Sequence, residues 1–367
     1  MAGLSQGAIA ASKRYRPDTG KLGLCESRYD ARMVQLASQT RRPFASTLAN
    51  ALDWMFLALV LGLAVSALLP SKSAAQSGGS PFTVIETGRT YGSLQAAVDA
   101  IGDRRGTIEI APGIYRQCAV QTQGVVLFVA REYGTVTFDR TACEGKAALV
   151  LRGLGAEIRG ITFSNISVPD GNGAGIRLEK GVLNVAYARF LDSQQGILSA
   201  NDTGGRIYIT RSTFSGLGTC ENSAGCAHSL YIGNYGELTV VDSRFERGRG
   251  GHYVKARAAR VTIESNSFDD AQGSGTNYMI DLPAGSRGSI ANNWFVQGRD
   301  KENYSAFIAL GAETVLHPSD GLSVRNNEAR FVPGLQRRSV FFADWTGSRV
   351  ELAGNRLASG LTNYERR

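Results

Sequence analysis

Two basic side chains near the middle of the chain, Lys255 and Arg257, are the strongest candidates for chemistry. They lie in the segment Gly251 to Arg257 (GHYVKAR), where apolar residues alternate with them. Because successive side chains of a β-strand point to opposite faces, Tyr253, Lys255 and Arg257 are predicted to share an outer face. A Lys and an Arg together can bind a carboxylate, since the guanidinium group forms paired hydrogen bonds with it.

Two similar segments flank this one: His228 to Gly233 (HSLYIG) precedes it and Tyr278 to Pro283 (YMIDLP) follows it. The same alternation turns Tyr231 and Asp281 outward. Neighbouring strands of a sheet lie about 4.8 Å apart. We therefore expect Tyr231, Lys255 and Asp281 to stand side by side on one face.

This cluster has the groups needed to act on an acidic polysaccharide. A lyase or C5-epimerase neutralises a uronate carboxylate and removes the proton beside it. Lys255 would be the base if the neighbouring Arg257 lowers its pKa, and Arg257 would hold the carboxylate. Tyr231 or Tyr253 would supply the acid, and Asp281 would contact the substrate. The alternative is a solvated ladder of opposite charges between coils.

Two of the three histidines, His228 and His252, begin neighbouring predicted strands. They could contact the substrate as an acid or base near neutral pH. The alternative is a stacked pair of edge residues that bind turn carbonyls. The third, His317, lies in a predicted loop and has no assigned role.

No cofactor is predicted, although calcium stays open. Asp139 and the pair Asp269-Asp270 can contribute oxygen ligands, but they form no dense carboxylate cluster in the sequence. The Asn pairs Asn292-Asn293 and Asn326-Asn327 are predicted to be structural, because Asn tolerates a left-handed backbone at turns and forms side-chain ladders.

A six-residue phrase, apolar at its first position and usually Phe at its last, recurs at spacings of 23 to 34 residues. It lacks the signatures of leucine-rich repeats and propeller blades, and it shows no helical periodicity. Its short apolar and polar alternation with Gly, Asn, Asp and Ser at the ends predicts strands and turns. The fold is therefore predicted as an all-β right-handed parallel β-helix of at least eight coils. The copies are Ile158 to Phe163, Val185 to Phe190, Ile209 to Phe214, Val240 to Phe245, Ile263 to Phe268, Ile290 to Phe295, and the weaker Val324 to Ala329 and Leu352 to Leu357.

The start of the repeat region resembles the entry of proteins of the pectate-lyase-like β-helix superfamily. The strand Phe82 to Ile85 is followed by Ser93 to Ile101 (SLQAAVDAI), a predicted helix with Ser93 as its N-cap, and then by Gly106 to Tyr115 (GTIEIAPGIY). The resemblance implies a helix that caps the N-terminal end of the stack. Lys255 and Arg257 also resemble the basic pair of several polysaccharide lyases with this fold.

The region before the repeats divides into three parts. Residues 1–50 are basic and predicted to be a disordered cytoplasmic tail. Residues 51–70 contain an uncharged apolar run and are predicted to be a transmembrane signal anchor, or a signal peptide that is cleaved. Residues 71–81 are a small-residue linker, and residues 82–367 are the β-helix domain. The positive-inside rule puts this domain in the periplasm of a bacterial-type cell, or outside the cell if the signal is cleaved.

The repeat domain has an even number of cysteines, four, which suggests disulfide pairing and therefore agrees with export. The simplest pairing joins Cys118 to Cys143 and Cys220 to Cys226, although four cysteines allow other connectivities. A zinc site is disfavoured because no pair has ligand spacing.

The net charge and its distribution indicate which kinds of polymer the protein can bind. The formal net charge is +8, part of it in the N-terminal tail, and the basic residues are too scattered to predict nucleic-acid binding. The residual positive charge suits an acidic polysaccharide. A second hypothesis is a non-catalytic carbohydrate-binding or scaffold β-helix of an envelope or exopolysaccharide assembly.

Overall fold

The chain coils into a right-handed parallel β-helix of about nine turns, as the repeats predicted. This architecture comes from a computed structural model, which describes residues 79–222 and 225–367. The predicted tail, membrane segment and most of the linker lie outside the described residues. Within those two ranges, no helix is long and apolar enough to cross a membrane.

Three sheets form the walls of the solenoid, and each coil adds one parallel strand to each sheet. The first sheet also begins with two antiparallel strands, Phe82–Val84 and Arg89–Tyr91. We name them sheets A, B and C in the order in which the chain visits them. The strands of sheet A are Phe82–Val84, Arg89–Tyr91, Arg105–Ile110, Val125–Ala130, Gly155–Arg159, Val182–Ala186, Asp202–Thr210, Tyr235–Val241, Arg260–Glu264, Arg287–Ala291, Ser323–Arg325 and Glu351–Ala353. The strands of sheet B are Gly113–Tyr115, Val136–Asp139, Ile161–Ser164, Arg189–Leu191, Thr213–Ser215, Arg244–Glu246, Ser267–Asp269, Trp294–Gln297, Glu328–Phe331 and Arg356–Leu357. The strands of sheet C are Ala119–Gln121, Ala147–Leu151, Ala174–Leu178, Gln195–Ser199, Leu230–Ile232, Val254–Ala256, Ile280–Leu282, Ala306–Leu310, Ser339–Asp344 and Leu361–Arg366.

The predicted N-terminal helix is confirmed as Leu94–Ile101. The Ser93 hydroxyl accepts a hydrogen bond from the Ala96 backbone N–H, which satisfies one of the free donors of the first turn. The apolar face of the helix joins the core of the first coil through Leu94, Ala97, Val98 and Ile101.

The repeated phrase crosses the corner between sheets A and B. Its first two residues are the last two of a strand of sheet A, and its last residue lies in a strand of sheet B. The third residue has a positive φ in every copy, a conformation that Gly, Asn and Asp adopt most readily. These corner residues are Gly160, Tyr187, Arg211, Asp242, Ser265, Asn292, Asn326 and Gly354.

The fourth residue of the phrase builds a ladder of buried side-chain hydrogen bonds along the solenoid. In the last four copies it is Asn, and each Asn oxygen accepts from the backbone N–H of the preceding coil's equivalent residue. Asn293, for example, accepts from Asn266 at 2.9 Å and donates to the Ile263 carbonyl at 2.8 Å. Asn327 and Asn355 continue the pattern. The structural role predicted for the Asn pairs is confirmed.

The Phe residues that end the first six copies of the phrase, together with Phe138 of the coil before them, form a stack of buried aromatic rings on the inner side of sheet B. Adjacent ring centroids lie 4.7 to 5.9 Å apart, and the rings are close to parallel. The stack comprises Phe138, Phe163, Phe190, Phe214, Phe245, Phe268 and Phe295. Each ring fills the core of its own coil and contacts the ring of the next coil. This contact favours one alignment of each coil on its neighbour.

Two disulfides have the predicted connectivity. Cys118 is bonded to Cys143, and Cys220 is bonded to Cys226. Both lie at the sheet C side of the coils, next to the strands that begin there.

Candidate functional site

The outer face of sheet C carries one continuous row of side chains. The strand register pairs Arg177 with Leu198, Leu198 with Tyr231, Tyr231 with Lys255, and Lys255 with Asp281. The predicted neighbours Tyr231, Lys255 and Asp281 therefore do occupy adjacent positions. The row extends further toward the N-terminal end than the sequence alone indicated.

Tyr253 does not belong to this row, and the prediction that it faces outward was wrong. Its side chain is buried, its hydroxyl donates to Asp270 at 2.8 Å, and the hydroxyl accepts from the Gly248 N–H at 3.1 Å. Burial and the Asp270 carboxylate hold the pKa of Tyr253 well above its usual value. Alternation failed here because the strand begins only at Val254.

Lys255 faces outward but is held between two carboxylates. Its Nζ lies 2.8 Å from Glu313 Oε1 and 3.3 Å from Asp281 Oδ2, and its side chain is only 13% exposed. Burial lowers the pKa of Lys255, but Asp281 and Glu313 outweigh burial and raise the pKa above its usual value. Arg257 does lower the pKa of Lys255, as predicted, but the two carboxylates outweigh this effect. The predicted net lowering was therefore wrong, because the sequence did not reveal Glu313.

Arg257 links the row to the segment 311–322 that passes over it. One guanidinium nitrogen donates to the Tyr231 hydroxyl at 2.8 Å, and another donates to Glu313 Oε2 at 2.6 Å. The guanidinium carbon lies 5.2 Å from the centre of the Tyr231 ring. The sequence did not indicate Glu313 as a partner of Arg257, because the two residues lie 56 positions apart in the chain. The one available signal was the long spacing between Phe295 and Ala329, which indicates an enlarged loop.

Asp281 is buried under this segment. It is 3% exposed, and its Oδ1 has no hydrogen-bond partner among the described residues. Burial raises the pKa of Asp281 to about 6 despite the nearby Lys255 ammonium. On its other side, His252 Nε2 lies 3.5 Å from Asp281 Oδ2.

His228 and His252 lie side by side and are largely buried, with ring centroids 5.0 Å apart and ring planes tilted by 41°. His252 Nδ1 lies 3.3 Å from the Tyr278 carbonyl, and His228 Nδ1 accepts from the His252 backbone N–H at 3.0 Å. Burial lowers the pKa of His228 to about 3 and holds that of His252 well below its usual value. Both rings are neutral at pH 7, which agrees with the structural alternative.

A groove of about 520 Å³ lies along the same face, on the N-terminal side of Lys255. It contains basic, amide and apolar side chains together, of which sequence reasoning had identified only Tyr231 and Arg257. Its lining consists of Gly145, Lys146, Asp170, Asn172, Arg177, Leu198, Ser199, Asn201, Tyr231, Gly233 and Arg257.

Arg177 is the least compensated cation of this groove. Its Nε is buried and has no hydrogen-bond partner among residues 79–222 and 225–367, and it lies 3.9 Å from Glu179 Oε1. By contrast, Lys146 Nζ lies 3.2 Å from Glu144 and 2.9 Å from Glu179. Arg152 binds the same two carboxylates. A half-buried guanidinium group with one unsatisfied nitrogen and only a distant carboxylate favours the binding of an anion, since an unsatisfied buried donor is costly.

The acidic residues considered for calcium have other partners. Asp139 accepts hydrogen bonds from Ser164 and Asn165. Asp270 lies 3.3 Å from the buried Lys301 ammonium. Within the described part of the chain, no group of three or more His, Cys, Asp or Glu side chains could hold a metal ion.

Comparisons with known proteins identify no family. No family model matches the chain, and no curated protein matches it. Among solved structures, the Streptococcus pneumoniae surface protein and adhesin PfbA is similar with a TM-score of 0.42 and 11% identity, over 74% of this chain and 94% of that one. Escherichia coli YbhC has a TM-score of 0.39 and 12% identity, over 74% of this chain and 82% of that one. ORF18 of Geobacillus virus E2 has a TM-score of 0.38 and 15% identity, over 74% of this chain and 56% of that one.

Proposed function

We propose that the groove on sheet C binds an acidic polysaccharide without cleaving it. The observation that carries this proposal is the Arg177 guanidinium group, which lies in the groove with its Nε unsatisfied. The Arg177 side chain is 23% exposed, and a carboxylate of the polymer would bind the exposed part of this poorly compensated guanidinium group.

The remaining lining suits a sugar chain. The Tyr231 ring and the Leu198 side chain offer an apolar surface for the faces of sugar rings, and Asn172 and Asn201 offer amide groups for hydroxyls. The Asn201 amide is fixed because its oxygen accepts from the Asn234 N–H at 2.8 Å. The groove runs across the strands, so a polymer could follow the solenoid axis over several coils.

Binding is favoured over lyase or epimerase action because the proposed base is not available. Lys255 is protonated, with its pKa raised by Asp281 and Glu313 despite burial, whereas a general base must be unprotonated near the working pH. Tyr253, one of the two acid candidates, is buried in the core. The other candidate base of the row, Asp281, has a pKa of about 6 but is only 3% exposed. Among the described residues, the row therefore has cations to hold a uronate but no exposed base to remove its proton.

An extracytoplasmic location is part of this proposal. The two disulfides support it, because disulfides persist in oxidising compartments such as the periplasm. Anchoring through residues 51–70, or cleavage there, remains a prediction.

The test is a binding panel of acidic and neutral polysaccharides, measured by isothermal titration calorimetry with the full-length protein. We expect binding to one or more uronate polymers and none to neutral polymers of similar length. Absorbance at ~235 nm, recorded on the same mixtures, measures the unsaturated product that elimination at a uronate would give. Absence of binding across the uronate polymers would refute the proposal, and a rise in absorbance would replace it with the lyase hypothesis.

A further inference from the structure

One feature next to the groove is a carboxylate of the protein itself, held where a ligand carboxylate would fit. Glu313 Oε1 lies 2.8 Å from Lys255 Nζ, and Oε2 lies 2.6 Å from an Arg257 nitrogen. Each oxygen thus faces one cation, the arrangement that two convergent basic groups offer to any carboxylate.

We propose that Lys255 and Arg257 form a second carboxylate subsite, that Glu313 occupies it in the absence of ligand, and that a polymer carboxylate takes the place of Glu313. This inference rests on the proposed function of the groove. It adds a second subsite that becomes free when the ligand displaces Glu313. It also makes Glu313 a residue that lowers the affinity of the protein for the polymer.

The subsite is continuous with the groove. Arg257 lines the groove and also binds Glu313, so the two features share a wall. Arg177 and Lys255 lie three strand steps apart in the outer row, which corresponds to about 14 Å at the usual strand spacing. One polymer that carries several carboxylates can therefore contact both Arg177 and the subsite.

The charges support an exchange of carboxylates. Lys255 and Arg257 contribute two positive charges, and Asp281 contributes a negative charge 3.3 Å from Lys255. Glu313 brings the cluster to neutrality, and its departure would leave one net positive charge. The carboxylate of a ligand would restore neutrality equally well. The advantage of Glu313 over a ligand carboxylate is that it is attached to the same chain, which raises its effective concentration at the subsite.

The Glu313 side chain can leave without unfolding the segment that carries it. It is 44% exposed, whereas the Lys255 side chain is 13% exposed. The backbone is held independently, because Glu313 N–H donates to Pro283 O at 3.1 Å and Leu316 N–H donates to Ala284 O at 2.8 Å. Rotation of a solvent-facing side chain is therefore sufficient to open the subsite.

The test compares polyuronate affinity among the full-length wild type, Glu313→Ala and the matched control Glu109→Ala. Glu109 pairs with Arg131 on sheet A at 2.9 Å, so its removal changes the net charge equally but on another face. We expect Glu313→Ala to bind roughly tenfold more tightly than the wild type, and Glu109→Ala to stay within about twofold. Adding Lys255→Gln to Glu313→Ala should remove the gain.

The outcomes separate this inference from the proposed function. If the wild type binds polyuronate and Glu313→Ala matches Glu109→Ala, the subsite proposal fails while the groove proposal stands. Weaker binding by Glu313→Ala would also overturn it, because Glu313 would then be organising the site. A gain that persists with Lys255→Gln contradicts the assigned subsite. If neither the wild type nor Glu313→Ala binds, the proposed function itself fails.

Discussion

Arg177 and Lys255 occupy equivalent positions in the outer row of sheet C, yet their surroundings differ. Lys255 has carboxylates at 2.8 and 3.3 Å, whereas Arg177 has its nearest at 3.9 Å and an unsatisfied Nε. The sequence predicted that Lys255 faces outward, because alternation depends on neighbouring residues alone. It did not indicate which cation was compensated, because the compensating Glu313 comes from a distant loop.

At the residue scale, Tyr231 tests the sugar-stacking surface. We expect Tyr231→Ala to weaken polyuronate binding by roughly fivefold to tenfold, since an aromatic contact contributes about 1 kcal/mol. Tyr231→Phe should bind nearly as well as the wild type, because it keeps the ring and loses only the acceptor for Arg257. Equal affinity of Tyr231→Ala and the wild type would show that the polymer does not contact this ring.

The buried His228 gives a pH dependence of stability. Its pKa is lowered from 6.5 to about 3 in the folded state, so below pH 6.5 the unfolded chain binds the extra proton and stability falls as the pH falls. At pH 5 the loss from this residue is about 2 kcal/mol. The raised pKa of Asp281 acts in the opposite direction between pH 4 and 6, so a variant must isolate the His228 contribution.

The measurement is urea unfolding of wild type and His228→Gln at pH 7 and pH 5. Gln keeps an acceptor for the His252 N–H but does not titrate. We expect the wild type to lose more stability than the variant between these two pH values. An identical pH dependence in the two proteins would mean that His228 is protonated in the folded state or is exposed to solvent.

At the scale of the elements, the six-residue phrase shows what a repeat pattern can and cannot reveal. Its apolar first and last positions predicted buried strands and hence the stacked coils, because those positions recur in every copy. The left-handed corner was predicted only at the Asn pairs, since positive φ at the third position is also adopted by Tyr187 and Arg211. Those residues adopt the conformation because stacked coils on both sides fix the backbone.

The Asn ladder gives the most direct test of this packing. The Asn293 side chain makes four buried hydrogen bonds, two with Asn266, one with the Ile263 carbonyl and one with Asn327. Asn293→Ala should destabilise the domain by about 2–4 kcal/mol, because the partners stay buried without it. The exposed Asn184 of sheet A provides the control, and Asn184→Ala should change stability by less than about 0.5 kcal/mol. Equal urea midpoints for both variants would contradict a stabilising ladder.

At the scale of the whole molecule, the two disulfides differ in the length of chain that each one closes. The Cys118–Cys143 bond closes a loop of 25 residues, and the Cys220–Cys226 bond closes one of 6. Loop entropy gives the longer one a stabilisation of about 3 kcal/mol and the shorter one about 2 kcal/mol. We expect Cys118→Ser with Cys143→Ser to lower the melting temperature more than Cys220→Ser with Cys226→Ser. The reverse order would show that loop entropy does not control their effects.

The central claim is that an unsatisfied cation on sheet C recruits an acidic polymer to the groove. Its most direct test is the affinity of Arg177→Gln for polyuronate at two salt concentrations, with Arg189→Gln as the matched control. Arg189 is an exposed Arg of sheet B, so both variants lose the same charge. We predict that Arg177→Gln binds at least about tenfold more weakly than the wild type and depends less on salt, and that Arg189→Gln binds as the wild type does. Equal affinity of the two variants would contradict the claim.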